Sequence, residues 1–186
     1  MEKQDNFEEK LDRLEDYREN PEEKLDTICD ILDKLTLDTL FLMEKEIEMK
    51  LNVENSMCQG ESHLAKARYI MGQNNVSSIQ LPTENTPEFS AALKVHSEES
   101  SQVLGGKSYD LVAIKKTEDQ SVVDPMRWFG LLVPLNLSHA QTMFKQALQW
   151  TVQAANVQSQ LTDMMKILCG LKQFKSQYKD ELVMTK

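Results

Sequence analysis

Residues able to do chemistry are few in this chain, and they lie far apart. His63, His96 and His139 are scattered, and no Ser, Cys or Lys has a recognisable base beside it, so the paired groups of general acid–base or nucleophilic catalysis are missing. Cys29, Cys58 and Cys169 form no CxxC pair and have no His at metal-ligand spacing. They read as reduced, semi-buried thiols. Gly105-Gly106 is too short a glycine run to cradle a phosphate. The expectation is a protein that is not an enzyme, with no cofactor and no metal.

What remains is contact chemistry, concentrated in two strings. DPMRWFGLLVP, residues 124–134, offers Trp128, Phe129, Leu131 and Leu132 as large apolar anchors of the kind that dominate protein interfaces. HLAKARYIMG, residues 63–72, puts Lys66, Arg68 and Tyr69 around Ala65 and Ala67, whose small side chains let another backbone approach closely. Each string has a plainer reading. The aromatics can plug the end of a helical body, and the cations can form an ordinary solvated helix face.

The elements that must position these strings follow from periodicity. From Pro21, Leu25, Ile28, Leu32 and Leu35 recur at alternating steps of three and four, and Leu42 and Met49 continue the row, which is the seam of a coiled coil. Thr39 and Glu46 occupy the other row, whereas Leu40, Ile47 and Leu51 offer a shifted stripe, so the seam is expected to drift around the helix there. Asn20 as cap, Pro21 at the first position and Glu22 and Glu23 in the first turn mark a start, and Gly72 marks a stop. A helix over 21–72 would run roughly 75 Å.

Asp124 can cap a short turn with Pro125 at its first position and Gly130 at its end. Beyond it, Asn136 or Ser138 can cap a second long helix over 136–183. Its stripe is Phe144, Leu148, Thr151 and Ala155, followed by Leu161, Met164, Leu168, Leu171, Tyr178 and Leu182, with Lys175 interrupting. Residues 1–20 read as an acidic extension with a short helix around Phe7, Leu11, Leu14 and Tyr17. Residues 73–123 lose periodicity and are rich in Ser, Thr, Asn, Glu and Pro, which predicts a mostly disordered linker. A strand over Tyr109–Ile114 is conceivable but has no evident partner.

Charge then selects how the helices pair. Residues 21–72 carry eleven carboxylates against six cations, whereas residues 125–186 carry three against seven. Acids crowd the start of the first helix, and Lys166, Lys172, Lys175 and Lys179 crowd the end of the second. An antiparallel arrangement sets acid against base, although each exposed pair contributes only about 0–1 kcal/mol. The expected fold is therefore all-α, two long helices forming an antiparallel coiled-coil hairpin, whose tip gathers both strings.

Composition narrows the function classes. A net charge of -9 and a pI near 4.9 exclude a nucleic-acid backbone as partner, because phosphate neutralisation needs clustered cations. Only 6% aromatic residues against 27% charged ones suits an elongated body better than a thick core. The longest apolar run, Trp128–Val133, is far shorter than a membrane span, and the acidic start lacks the pattern of a secretory signal, so a cytosolic protein without direct membrane insertion is expected. The N-x-S matches at Asn75 and Asn136 and the KDEL at Lys179–Leu182, with four residues following, are coincidental in that setting.

DPMRWFGLLVP followed by NLSHAQTMFKQALQW, with SHLAKARYIMG upstream, resembles the soluble coiled-coil assembly factor of the vacuolar proton-pumping ATPase, a coiled-coil domain-containing protein family of vertebrates. The likeness covers about Leu25–Gly72 and Asp124–Leu171, and its specific part is the WFG string. It implies a non-enzymatic chaperone whose partners are a membrane-anchored V-ATPase assembly factor and V-ATPase membrane-sector subunits. It also implies association, through those partners, with endoplasmic reticulum, ER–Golgi intermediate or lysosomal membranes, and a part in lysosomal acidification. The heptads alone allow another role, a homodimeric coiled-coil tether or cytoskeletal adaptor.

Overall fold

A computed structural model describes residues 21–99, 107–114 and 124–184. Two long helices dominate it, α1 over Pro21–Met71 and α2 over Leu135–Met184. Between them come a 3-10 turn at Ser78–Gln80, strands β1 (Leu93–Glu99) and β2 (Lys107–Ala113), and a second 3-10 turn at Pro125–Phe129. The short helix expected within 1–20, the Asn20 cap and Gly105-Gly106 lie outside the described residues. No helix among the described residues is long and apolar enough to cross a membrane.

The stop signal at the end of α1 acts as its chemistry dictates. Gly72 takes a φ of 88°, a left-handed value that a side chain would strain, and its N–H donates to the Arg68 carbonyl at 3.0 Å. The Asn75 amide returns to the Met71 carbonyl at 2.7 Å, satisfying another of the last acceptors. The start of α2 departs from expectation. It begins at Leu135, ahead of both Asn136 and Ser138, with the Leu137 N–H donating to the Pro134 carbonyl at 2.9 Å. Neither residue is the cap because the Pro134 carbonyl already serves the first turn.

All but one of the buried positions of α1, Ile31 being the exception, fall on one unbroken heptad row. Ile28, Leu32, Leu35, Thr39, Met49, Ser56, Gly60 and Ala67 are buried, and Leu42, Glu46, Val53 and His63 fill the intervening places half-buried. The expected drift does not occur, and Leu40, Ile47 and Leu51 remain more than half exposed. Local bonds make the polar seam tolerable. The Thr39 hydroxyl donates to the Leu35 carbonyl at 2.7 Å, and the Glu46 carboxylate meets the Lys50 ammonium at 2.6 Å, one turn on.

The chain divides into two compact units. In one, residues 21–43 of α1 meet residues 161–184 of α2. Ile28, Ile31, Leu32 and Leu35 are its apolar centre with Leu161, and the Lys24 ammonium stands 5.4 Å from the centre of the Tyr178 ring. Asp163 is also buried there, with one carboxylate oxygen 3.0 Å from Lys166.

The other unit is Glu44–Gln160. Here the helices meet through small residues, with Ser56, Gly60 and Ala67 buried on α1 and Ala140 and Ala147 buried on α2. Gly60 lies directly under the Phe144 ring, where an added Cβ would come within 2.8 Å of a ring carbon. Upstream of Leu161 the buried stripe of α2 is therefore Leu137, Ala140, Ala147 and Val157. The expected Leu148 and Thr151 are exposed instead. Thr151 has turned its hydroxyl to the Ala147 carbonyl at 2.8 Å.

The all-α expectation is corrected by the sheet, and so is the expectation of a mostly disordered linker over 73–123. β1 and β2 pair antiparallel, with Leu93 opposite Ala113 and Glu99 opposite Lys107. Two strands alone are marginal in water, and most side chains of β1 are exposed. A contact with α2 compensates. The Asn156 side chain accepts from the Tyr109 N–H and donates to the Tyr109 carbonyl, both at 2.8 Å. A side-chain amide thus pairs the outer edge of β2 as a third strand would.

Two outcomes are expected from these contacts. Gly60→Ala gains up to about 1 kcal/mol of helix propensity but overpacks Phe144, which costs about 1–3 kcal/mol, so thermal unfolding should shift downward. An unchanged or raised midpoint would contradict that seating. Asn156→Ala removes both bonds to Tyr109, worth about 0.5–1.5 kcal/mol each, and hydrogen exchange at the Tyr109 amide should quicken by about ten-fold or more while the centre of α1 keeps its protection.

Candidate partner-binding site

The second 3-10 turn is built by one carboxylate. Asp124 Oδ1 accepts from the Met126 N–H at 3.1 Å, and Pro125 holds the first position, where no donor is needed. The same oxygen accepts from Gln141 Nε2 on α2 at 2.9 Å, which ties the turn to the helix that follows it. Gly130, at a φ of 119°, closes the turn with its N–H toward the Arg127 carbonyl. The bonds from Met126 and Gln141, helped by Lys145 and Arg127, hold the Asp124 carboxyl below its ordinary 3.8, against a smaller opposing effect of burial.

That turn aims Phe129 inward. Ala67, Val76 and Leu137 are buried together, and Leu64, Met71, Met126, Phe129 and Val133 pack around them. Ala67 is wholly buried, as its small side chain in an otherwise polar helix end suggested. The end of α1, the loop after it, the 3-10 turn and the start of α2 therefore share one apolar seat. Beside it opens a groove of about 660 Å³, lined among others by Leu64, Leu81, Leu93, Trp128, Phe129 and Phe144.

The seven expected anchor residues divide into three groups. Phe129 belongs to the seat, so its first task is packing. Trp128 is half-buried at the groove, with its ring edge-on to Phe89 at 5.3 Å. Leu131, Leu132 and Tyr69 are almost fully exposed, and Lys66 and Arg68 are exposed. The two strings therefore meet, but through Ala67, Met71, Phe129 and Val133 rather than through the cations or the paired leucines.

Several residues here escaped the sequence reading. Phe89 is a lone aromatic in a polar stretch, which was a usable signal for a tertiary contact. Val76 and Gln141 gave none. His63 and His139, scattered in sequence, come together with ring centres 5.4 Å apart, and His63 Nδ1 stands 3.4 Å from Asn136 Oδ1. No group of three or more His, Cys, Asp or Glu that could hold a metal ion occurs among the described residues. Cys58 and Cys169 are exposed rather than semi-buried, and only Cys29 is intermediate.

The described residues define a mostly helical protein of two long helices and a small two-stranded sheet, with an apolar seat and an open groove. Comparison with known proteins makes this specific. The chain is 30% identical over 154 residues to the vacuolar ATPase assembly protein VMA22 of Homo sapiens, covering 70% of this chain and 83% of that protein. It is 30% identical over 161 residues to the Mus musculus protein of the same name, covering 75% and 88% respectively. The Danio rerio protein of that name is 28% identical over 162 residues, covering 64% and 79%. No protein-family model matches the chain. The chain belongs to the VMA22 family of vacuolar ATPase assembly proteins.

The strut formed by Asp124 has a defined pH dependence. Its carboxyl is held below the unfolded value of 3.8, so its contribution is fully present above that value and is lost as pH falls through the lower folded value. Asp124→Ala should therefore lower stability at neutral pH by more than it does in acid. Urea titrations of both proteins at pH 7 and below about 3.5 should show the difference shrinking, and a constant difference would refute the assignment.

Proposed function

We propose that this chain is a non-enzymatic assembly factor for the vacuolar proton-pumping ATPase, acting on its membrane sector together with a membrane-anchored partner at the endoplasmic reticulum. The observation that carries this reading is the likeness to vacuolar ATPase assembly proteins over most of this chain and most of theirs. The protein is cytosolic in this reading and gathers at endoplasmic reticulum, ER–Golgi intermediate or lysosomal membranes through its partners. Acidification of lysosomes and endosomes depends on it at one remove.

The fold that goes with this role is an antiparallel coiled-coil hairpin. Support comes from within the Glu44–Gln160 unit, where Gly60 meets Phe144 and His63 meets His139. Rising numbers on α1 pair with falling numbers on α2. A hairpin that closes its own seam leaves its outer faces for other chains, which suits a chaperone that shields an unassembled subunit and then departs. Trp128, Phe129, Leu131 and Leu132, with Lys66, Arg68 and Tyr69, form the contacting end in this reading.

Deleting the protein should leave vacuolar-type compartments poorly acidified, read with a lumenal pH dye, and normal acidification would count heavily against the assembly role. Trp128→Ala should reduce copurification with the membrane-anchored assembly factor by about ten-fold, within the range of interfacial aromatic anchors, while circular dichroism keeps the helical signal. Sedimentation should report a monomer. A stable parallel dimer would favour a scaffold instead.

A further inference from the structure

Leu131 and Leu132 present an unusual surface. They are 101% and 94% exposed, in the irregular stretch between Gly130 and the start of α2, while Phe129 before them and Val133 after them are packed into the seat. The inward neighbours hold the two leucines outward. On the α1 side of the same seat, Tyr69 is 92% exposed and Ile70 is 59% exposed, although Ala67 and Met71 beside them face in. Four large side chains therefore project around one small cluster. None of the four lines the neighbouring groove, so they are not the walls of a concave site.

Charge at this end runs opposite to the rest of the chain. The protein carries a net charge of -9, yet no carboxylate occurs from Ser62 to Thr83 or from Pro125 to Thr162. Lys66, Arg68 and Arg127 lie within those stretches, and all three are exposed. Asp124 directly precedes the second stretch, and its Oδ1 is engaged by Met126 and Gln141.

We infer that this end of the Glu44–Gln160 unit rests directly on an anionic lipid bilayer, with Leu131 and Leu132 dipping below the headgroups and Lys66, Arg68 and Arg127 meeting lipid phosphates. The chemistry fits each part. Protruding aliphatic side chains suit a fluid apolar layer that needs no complementary pocket, tyrosine favours the headgroup level, and each cation near an anionic leaflet adds attraction that salt screens. An acidic protein partner could match the cations, but two fully exposed convex leucines would need a preformed pocket to receive them. The contact is peripheral, because no described helix can span a bilayer. It revises the expectation, implied by the resemblance, that membranes are reached through partners, and it moves Leu131, Leu132, Lys66 and Arg68 from the protein-contacting end proposed above to lipid. It does not depend on which complex the protein assembles.

Vesicle flotation of the purified full-length protein tests this. Vesicles of phosphatidylcholine with about 30% phosphatidylserine should carry the protein up the gradient, and phosphatidylcholine alone should carry much less. Leu131→Ser with Leu132→Ser should cut binding to the anionic vesicles by about ten-fold or more. Lys66→Ala with Arg68→Ala should abolish the preference for the anionic lipid and its sensitivity to salt. All four substituted positions are exposed, and unchanged circular dichroism establishes that each variant folds. The inference is overturned if the wild-type protein floats with neither vesicle, or if both variants float as the wild type does. It is equally overturned if the leucine variant keeps its vesicle binding and loses only copurification with the membrane-anchored assembly factor, because the surface then belongs to a protein.

Discussion

The close approach of α1 to α2 around Gly60 is the constraint from which the rest of the Glu44–Gln160 unit follows. Phe144 lays its ring over a bare backbone there, and the neighbouring buried positions are Ser56, Ala67, Ala140 and Ala147, none of them large. Small residues let helices come near but bury little apolar area of their own. The missing area comes from outside the helices. Val76, Met126, Phe129 and Val133, all from the loops, close around Ala67 and Leu137, so the irregular segments are structural parts of the core.

This division of labour explains the double character of the DPMRWFGLLVP string. Asp124 and Pro125 start a tight turn, Gly130 reverses it, and the turn leaves Phe129 facing in and Leu131 and Leu132 facing out. Packing and presentation are performed by adjacent residues. Of the two readings open at the level of sequence, a plug and an anchor, Phe129 realises the plug, while Leu131 and Leu132 are left exposed.

The sheet obeys a similar logic. Two strands cannot hold themselves together in water, and α2 supplies what a third strand would through the single amide of Asn156. Its outer edge is thereby satisfied at Tyr109, which removes one pair of groups that would invite pairing with other chains. On α1, by contrast, polar groups inside the seam are satisfied locally. Thr39 bonds back to Leu35 and Glu46 forward to Lys50, so a helix can keep one register through residues that look like interruptions.

The two long helices, their approximate ends and the chemistry of the turn at Asp124 were determined by the sequence alone, because capping, proline placement and heptad spacing act over a few residues. Gly72 stops α1 through its own left-handed φ, and the Asp124 carboxylate starts the turn through the Met126 N–H two residues on. Tertiary structure decided the remainder. Whether the seam followed Thr39 or Leu40 depended on which face met α2, and the pairing of Leu93–Glu99 with Lys107–Ala113 is braced by Asn156, 47 residues beyond Tyr109. The burial of Phe129 and Val133 in the WFG string was likewise decided by Ala67 and Val76, distant in sequence, because burial is a property of what stands opposite and no local pattern records it.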